Sequence, residues 1–408
     1  MKIAWLINLY PPYIMGGNEV VAKDIILELR ARGHEVYLLT GHGKRFPEEP
    51  YHLTPVNFDL DLLGERFLGE RVPSISESFR WHIFDLETYR ETIDALRQTK
   101  HDLTVVDNFS LISVAPLLAA IRARSKVVVQ ANDKWLIYGL KRAGEGLWQC
   151  PQAQRPLIAF AQRLLQPIFS RIAQPVPIIV NSHFMRDTYV RAGFEAERVK
   201  VVHLGIDVDL FCPNTNRSET GMPIRLMFAS QLWEGKGPQV AIRALAELKE
   251  QAPETPFILD VYGEGQQAFR DSLDALARKL GVSDSVQYRG YVSPTELAEA
   301  ARTHDIFLFT PIWDEPFSLT LLSMMSCGIP VIATSAGGNS EAIEDEHTGL
   351  LVPPGEPLAL AKAILRLARD PALRSKLSAQ AAAAVQEKWS FKHYVDTLES
   401  LYHACAAG

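Results

Sequence analysis

The sequence has few cysteines, and none occurs in a pattern that binds metal or builds a disulfide framework. The four lie far apart in a chain of 408 residues: Cys150, Cys212, Cys327 and Cys405. No CxxC pair occurs, and no histidine stands at metal-ligand spacing from a cysteine. A zinc site and a disulfide scaffold are therefore not expected, and a reducing, cytoplasmic location fits.

Long apolar runs and basic runs are also missing. The longest apolar stretches, such as LISVAPLLAAI, fall well short of the roughly twenty residues that cross a bilayer. The first residues, MKIAWLINLYPPY, carry too short an apolar run for a secretory signal. A net charge of -6 without a concentrated basic segment argues against a nucleic-acid binder. Peripheral contact with a membrane stays open.

What is present is an alternation of strand-like and helix-like segments over a length that suits two α/β domains. KIAWLINLY, HDLTVVDNF, KVVVQAND and PVPIIVNSHF are typical of buried parallel strands, and helical stretches separate them. The polar segment Asn214 to Pro223 lacks apolar periodicity. We therefore predict domains at 1–213 and 214–387, followed by a last helical stretch at about 388–408.

The stretch from Phe309 to Gly355 predicts a strand, loop, helix, strand, glycine-rich turn, helix and strand. The first loop carries Glu315, and the turn carries Gly337 and Gly338. Because the carboxyl ends of parallel strands meet at one sheet edge, these two loops should lie side by side. The turn is expected to expose N–H groups at a helix N-terminus, where negative charge is favoured.

From Phe46 to about Ser78 the apolar pattern loosens, and the sequence predicts an irregular insert before a helix at Glu87 to Gln98. A solvated insert is one interpretation, and an acceptor-binding or membrane-facing surface is another. The residues that motivate the second interpretation are Arg66, Phe67, Arg71, Phe79, Arg80 and Trp81.

Several motifs, loose alone but specific in this order, resemble those of the retaining GT-B glycosyltransferases of family 4. They are Gly16-Gly17 with RARGHEV, VNSHF with VVHLGIDVDLF, SQLWEGKG, YGEG, YRGYVS and EPFSLTLLSMMSCGIPVIATSAGG. The resemblance implies two doubly wound, Rossmann-like lobes that face each other across a cleft, with the last helix packing back on the first lobe. It also implies a nucleotide-diphosphate sugar as co-substrate, no metal or other cofactor, and retention of configuration.

The resemblance assigns roles to individual residues. Lys236 matches the lysine on the donor diphosphate, and Glu315 matches the glutamate that holds sugar hydroxyls. The other positions assigned to the donor are Gly16, Gly17, Gly263, Arg289, Tyr291, Phe317, Ser318 and Leu319. A cation and oriented N–H groups suit a leaving group whose negative charge grows as the glycosidic bond breaks. The alternatives are a solvated lysine in a loop for Lys236 and a core aromatic for Tyr291.

Three positions depart from the family pattern. Ser323 stands where the family has a ribose-binding glutamate, Gln231 replaces an arginine, and Asn132 replaces a histidine near the anomeric centre. The changes are consistent with an unusual donor, with a clamp that uses other cations such as Arg289 or Lys134, or with binding without turnover.

We therefore hypothesise a glycosyltransferase that acts on a small-molecule, glycan or lipid-linked acceptor. A GT-B sugar phosphorylase or epimerase-like enzyme, and a non-catalytic nucleotide-sugar-binding protein, are the alternatives. A nicotinamide dehydrogenase is not favoured, because the first strand-to-helix turn lacks GxGxxG.

Overall fold

The computed structural model describes residues 1–11, 14, 16–42, 54–59, 74–109, 113–147, 150–213 and 221–407. The chain forms two compact units, 1–202 with 395–408 and 203–394. Residues 203–213, assigned to the first domain from the sequence, therefore group with the second unit. The cause is local pairing, because the N–H of Ile206 donates to Trp389 O at 2.9 Å, and the N–H of Phe391 donates to Ile206 O at 2.7 Å.

The first unit alternates strands with helices. Its strands are β1 (Lys2–Leu6), β2 (Glu35–His42), β3 (Thr54–Asp59), β4 (Leu103–Val106), β5 (Val127–Ala131), β6 (Ile178–Val180) and β7 (Val199–Val201). Its helices before residue 203 are α1 (Gly17–Ala31), α2 (Ile75–His82), α3 (Leu86–Gln98), α4 (Ala115–Arg122), α5 (Trp135–Leu140), α6 (Arg155–Ala173) and α7 (His183–Arg191). The described strands form one parallel sheet in the order β3-β2-β1-β4-β5-β6-β7.

The predicted irregular insert is wrong in two places, since it contains β3 and the first half of α2. Pro55 obscured the strand, and β3 tolerates it because it lies at the edge of the sheet. Helix α2 begins with a capping box, in which Ser74 Oγ accepts the Glu77 N–H and the Glu77 carboxylate accepts the Ser74 N–H. The predicted helix at Glu87 to Gln98 is confirmed as α3. Residues 60–73, with Arg66, Phe67 and Arg71, lie outside the described part of the chain.

The second unit repeats this plan. Its strands are β8 (Ile224–Ala229), β9 (Phe257–Tyr262), β10 (Val286–Gly290), β11 (Ile306–Phe309), β12 (Val331–Thr334) and β13 (Leu350–Val352). Its helices are α8 (Pro238–Gln251), α9 (Gln267–Lys279), α10 (Pro294–Ala301), α11 (Leu319–Ser326), α12 (Asn339–Ala342), α13 (Pro357–Arg369) and α14 (Pro371–Lys388). The described strands are again all parallel, in the order β10-β9-β8-β11-β12-β13. Both predicted doubly wound parallel sheets are thus confirmed.

The last helix, α15 (Phe391–Ala407), ends the described chain. Its residues from Val395 onward belong to the first unit. There the buried ring of Tyr402 lies edge-on to Trp5, 6.2 Å between centroids, and its hydroxyl donates to Gln130 Oε1 at 2.7 Å. Arg32 forms ion pairs with Asp396 at 2.7 Å and Glu399 at 2.8 Å. In the part of the chain that the structure describes, none of the helices is long and apolar enough to cross a membrane.

Candidate donor site in the second unit

Strand order places one crevice in the second unit. The order runs outward from β8 through β9 in one direction and from β11 through β12 in the other, so it reverses between β8 and β11. Ligands of open parallel sheets bind at such a reversal, beyond the carboxyl ends of the two strands. The loop after β8 carries Lys236, and the loop after β11 carries Glu315. The two residues favoured by the sequence therefore come from the two loops that flank the reversal.

Backbone contacts join these two loops. The N–H of Ile312 donates to Gly235 O at 2.8 Å, and the Thr310 hydroxyl donates to Gly237 O at 3.0 Å. Gly237 has φ of 74°, and a Cβ there would lie 1.8 Å from Thr310 O. Only glycine fits this left-handed turn and this close approach. The glycine after Lys236 thus fixes where the lysine stands.

Lys236 and Glu315 meet in the crevice. Lys236 Nζ lies 2.6 Å from Glu315 Oε2, and both side chains are largely buried. The indole N–H of Trp313 donates to the same carboxylate oxygen at 2.9 Å, while Lys236 Nζ stands 5.2 Å from the centre of the Trp313 ring. Trp233 packs edge-on against Trp313, with 5.4 Å between centroids. The interpretation of Lys236 as a free solvated lysine is therefore wrong for this structure.

The N-terminus of α11 lies directly after Glu315. Ser318 caps the helix, because its hydroxyl accepts the N–H of Leu321 at 3.2 Å. The N–H groups of the first helical turn have no acceptor within the helix and favour an anion. The ring of Phe317 is buried against His203, 4.9 Å between centroids, and His203 Nε2 lies 2.9 Å from Glu341 Oε2. The backbone of Phe317, Ser318 and Leu319 is thus held in place by a buried side chain.

The glycine-rich turn after β12 has a different role from the one predicted. The N–H of Gly338 donates to Glu315 O at 2.7 Å and is therefore occupied. Gly337 has φ of 61°, and a Cβ there would lie 2.2 Å from Glu315 O. The turn at Gly337 and Gly338 supports the backbone of Glu315. It does not present the Gly338 N–H to a phosphate, and the expectation of a free N–H at that position is wrong.

The residues assigned to the base surround the ends of β9 and β10. The N–H of Gly263 donates to Gly290 O at 2.7 Å, and Gly263 has φ of 118°. Tyr291 is 73% exposed, so its interpretation as a core aromatic is wrong. Arg289 Nε lies 2.5 Å from the buried carboxylate of Asp260. Its guanidinium is thus already paired and supplies no free charge to replace the missing arginine.

Asp260 organises a charged cluster. Its carboxylate also accepts from Arg225 at 2.6 Å and lies 2.9 Å from His304 Nε2. Burial opposes ionisation, but the hydrogen bonds from His304 and Arg289 outweigh it and lower the pKa of Asp260 to about 2. The carboxylate is therefore charged throughout the physiological range and holds Arg289 against the sheet.

The three departures from the family pattern occupy different surroundings. Gln231 is exposed in the loop after β8, and Ser323 is buried within α11. Asn132 belongs to the first unit, where it follows β5 and its carbonyl accepts from Asn181 Nδ2 at 3.1 Å. Ser323 lies in α11, five residues after its cap Ser318. Gln231 is open to solvent on the loop that carries Lys236.

The corresponding reversal in the first unit lies between β1 and β4. Gly16 caps α1 there, and its N–H donates to Glu19 Oε2 at 2.9 Å. Asp107 follows β4, and burial raises the pKa of its carboxyl to about 8, assisted by the negative charges of Glu19 and Asp133. Among the residues that the structure describes, a Cβ on Gly16 or Gly17 would meet no atom within 4 Å. The described neighbours therefore impose no steric need for glycine at these two positions.

One group in the first unit could be considered for a metal ion. His34, Glu399 and His403 place ligand atoms within 4.8 Å of one another. Arg32 also bonds Glu399, and it lowers the pKa of that carboxyl together with His34. The guanidinium already neutralises the Glu399 carboxylate, so the group offers a cation little free negative charge. Its role is to attach α15.

Comparison with known proteins found family models that match both parts of the chain. Residues 15–210 match the family model described as Glycosyltransferase Family 4, and residues 215–384 match the model described as Glycosyl transferases group 1. The chain has the GT-B glycosyltransferase fold. A glycosyltransferase from Rickettsia africae is 16% identical with a TM-score of 0.73, covering 99% of this chain and 98% of that one. HepE of Anabaena, solved with UDP and glucose, is 20% identical with a TM-score of 0.70, covering 99% and 100%.

Curated relatives are similar over a shorter length. A D-inositol 3-phosphate glycosyltransferase of Streptomyces bingchenggensis is 33% identical over 219 residues, which are 50% of this chain and 48% of the relative. One of Corynebacterium jeikeium is 33% identical over 224 residues, 52% of this chain and 53% of the relative. The chain thus spans about half the length of the curated relatives that it matches.

Sequence reasoning missed three residues of the GT-B units that the structure brings forward. Trp313 bonds Glu315 from two positions away, Asp260 holds Arg289, and Asp107 is a buried acid at the first reversal. An aspartate inside the apolar strand FILDVY was a usable signal for Asp260, because a charge in a buried strand needs partners. The others depend on side-chain directions in loops.

Proposed function

We propose that this protein transfers a glycosyl group from a nucleotide-diphosphate sugar to an acceptor, with retention of configuration at the anomeric carbon. The observation that carries the proposal is the Lys236–Glu315 pair, 2.6 Å apart, beside the first turn of α11 at the reversal of the second sheet. A cation, a carboxylate and helix N–H groups together suit a sugar diphosphate. Retention rests on the motif resemblance.

In this proposal, binding of the donor separates Lys236 from Glu315 and gives each residue a new partner. Lys236 leaves Glu315 for the diphosphate, and the freed carboxylate accepts hydrogen bonds from the sugar hydroxyls. Trp313 stays on Glu315 Oε2 and keeps the carboxylate oriented. As the glycosidic bond breaks, charge grows on the leaving phosphate, and Lys236 with the N–H groups of Phe317 to Leu319 stabilises it. The acceptor hydroxyl attacks the anomeric carbon from the same face of the sugar, and its proton passes to the departing phosphate oxygen.

The test is Lys236→Ala with Lys279→Ala as a matched control, because Lys279 is an exposed lysine of the same unit. UDP-glucose and D-inositol 3-phosphate belong in the first donor and acceptor panels, since HepE of Anabaena was solved with UDP-glucose and curated relatives are named D-inositol 3-phosphate glycosyltransferase. We expect Lys236→Ala to lose roughly 100-fold to 1,000-fold in kcat/KM and Lys279→Ala to keep its activity. Unchanged turnover in a folded Lys236→Ala protein would refute the proposal.

A donor-binding protein without turnover is the second candidate. Exposed Gln231 and buried Ser323 motivate it, because neither supplies the ionic contact that the family has at that position. Calorimetric titration followed by a product assay separates the two functions. Donor binding with no product from any acceptor would support this candidate, and phosphate-dependent cleavage of the sugar would instead indicate a phosphorylase. The proposed transferase needs no divalent metal, so EDTA should leave turnover unchanged.

A further inference from the structure

Helix α6 (Arg155–Ala173) of the first unit carries five large apolar side chains on the outside. They recur at intervals of three and four residues, which places them on one face of a helix. Their exposed fractions are 53% for Leu157, 59% for Phe160, 59% for Leu164, 55% for Ile168 and 43% for Ile172. We call these five residues the outer stripe. Five large exposed apolar residues in one register exceed what scattered surface hydrophobics produce.

The inward face of the same helix is partly polar, and none of the five residues of the outer stripe belongs to it. Gln162 is buried, donates to His82 O at 3.1 Å and accepts the Gly144 N–H at 2.8 Å. Gln166 is also buried and donates to Tyr138 O at 2.7 Å. The helix therefore attaches through satisfied glutamines and a few apolar contacts, such as that of Ile158. A helix of this kind keeps apolar residues outside only at a cost in solubility.

The charged residues of α6 are all basic. The helix contains Arg155, Arg163 and Arg171 and no aspartate or glutamate, in a chain whose net charge is -6. All three arginines are exposed. Arg171 is three residues from Ile168 and seven from Leu164, so it lies on the face of the outer stripe. Apolar residues flanked by arginines on one helix are typical of segments that lie in the interface of an anionic bilayer.

We propose that the outer stripe of α6 docks the protein on the surface of an anionic lipid bilayer. The apolar side chains enter the boundary between headgroups and acyl chains, and the arginines contact lipid phosphates. A second copy of the chain fits this helix less well, because two copies would bring like-charged arginines together. The proposal does not depend on the glycosyl transfer reaction, and it places the membrane-facing surface on α6 instead of the segment around Arg66 and Phe67.

The test uses the full chain and vesicles of phosphatidylglycerol mixed with phosphatidylcholine, with phosphatidylcholine alone as reference. In sedimentation the protein should bind the anionic vesicles and release as salt rises, because arginine contacts are screened. Phe160→Gln with Leu164→Gln should reduce the partition coefficient at least about 10-fold. Arg163→Gln with Arg171→Gln should reduce binding roughly 10-fold on anionic vesicles only. Leu27→Gln is the matched control, since Leu27 is a 43% exposed leucine of α1.

Folding of each variant is checked by circular dichroism and thermal unfolding, which exposed substitutions should leave nearly unchanged. Failure of the natural protein to bind anionic vesicles overturns the proposal, as does unchanged binding by the Phe160 and Leu164 variant. Light scattering tests whether the outer stripe instead joins two copies of the chain. A dimer that this variant converts to monomers, without vesicle binding by the natural protein, would assign the outer stripe to self-association instead.

Discussion

The first six strands of each unit follow the same order, but the two units place opposite chemistry at the point where that order reverses. Between β8 and β11 stand Lys236, Glu315 and the cap of α11, a cation with N–H groups that suit an anion. Between β1 and β4 stand Glu19 and Asp107, two buried acids. Topology thus fixes where a ligand can bind, while the loop residues decide its charge. On this ground our proposal assigns the donor diphosphate to the second unit.

Among the variants that compare the two units, the largest effect should come from Glu315→Gln, which keeps the shape of the side chain but removes the charge that positions Lys236. We expect kcat/KM to fall about 100-fold if the carboxylate holds donor hydroxyls. Steady-state kinetics with the best donor measures it. Glu19→Gln is the counterpart at the first reversal and should change donor affinity far less. Equal losses in the two variants would contradict the assignment of the donor to the second unit.

Paired glycine substitutions compare the two loops directly. Gly237→Ala forces an L residue into a left-handed turn against Thr310 O and should cost more than about 2 kcal/mol of unfolding free energy. The added Cβ of Gly17→Ala meets no atom of the described residues within 4 Å, so the variant should be neutral or should stabilise by up to about 1 kcal/mol. Urea unfolding measures both. A Gly17→Ala protein that stays stable yet loses activity would show that a ligand approaches that backbone.

Trp313→Phe tests whether the indole N–H positions Glu315. The ring remains beneath Lys236, but the hydrogen bond to Glu315 Oε2 is lost, so kcat/KM should fall about 10-fold. Trp233→Phe is the control, because it changes the neighbouring indole of the same pair. A positioning role predicts that the pH profile of kcat shifts in Trp313→Phe. A loss confined to thermal stability, with an unchanged profile, would reduce Trp313 to packing.

The smallest effect concerns Asp107. Since burial raises its pKa to about 8, the folded state retains a proton that the unfolded state releases near pH 4. Stability from this group is therefore present below about pH 4 and declines as the pH rises toward 8. Asp107→Asn should unfold a few degrees higher than the natural protein at pH 8, with no difference near pH 4. Scanning calorimetry at both values checks this, with exposed Asp284→Asn as control.

Sequence patterns predicted most of the fold and part of the site. Apolar runs such as Ile306 to Phe309 marked buried strands, and the positions of Lys236 and Glu315 after strands placed them at one sheet edge. The pattern failed at Thr54–Asp59, where Pro55 conceals an edge strand. It also could not show that Gly338 bonds Glu315, or that Arg289 is committed to Asp260. Those contacts join residues that are distant in the chain.

The outer stripe of α6 is a second feature that sequence patterns could not predict. Apolar residues at helical spacing ordinarily indicate the buried face, and here the buried positions include Gln162 and Gln166. Only the neighbours of a helix decide which of its faces is covered. The sequence predicted a helical stretch between KVVVQAND and PVPIIVNSHF, but it could not show which face of that helix is covered.

The ion pair between Lys236 and Glu315 has a consequence for synthesis of the chain. The two residues are separated by 79 positions, so the crevice cannot exist until β11 has emerged and paired with β8. A nascent chain that ends before Thr310 has no partner for Lys236. Once β11 pairs with β8, Glu315, which follows β11 in the chain, comes within reach of the lysine. The pairing of one strand therefore completes the crevice.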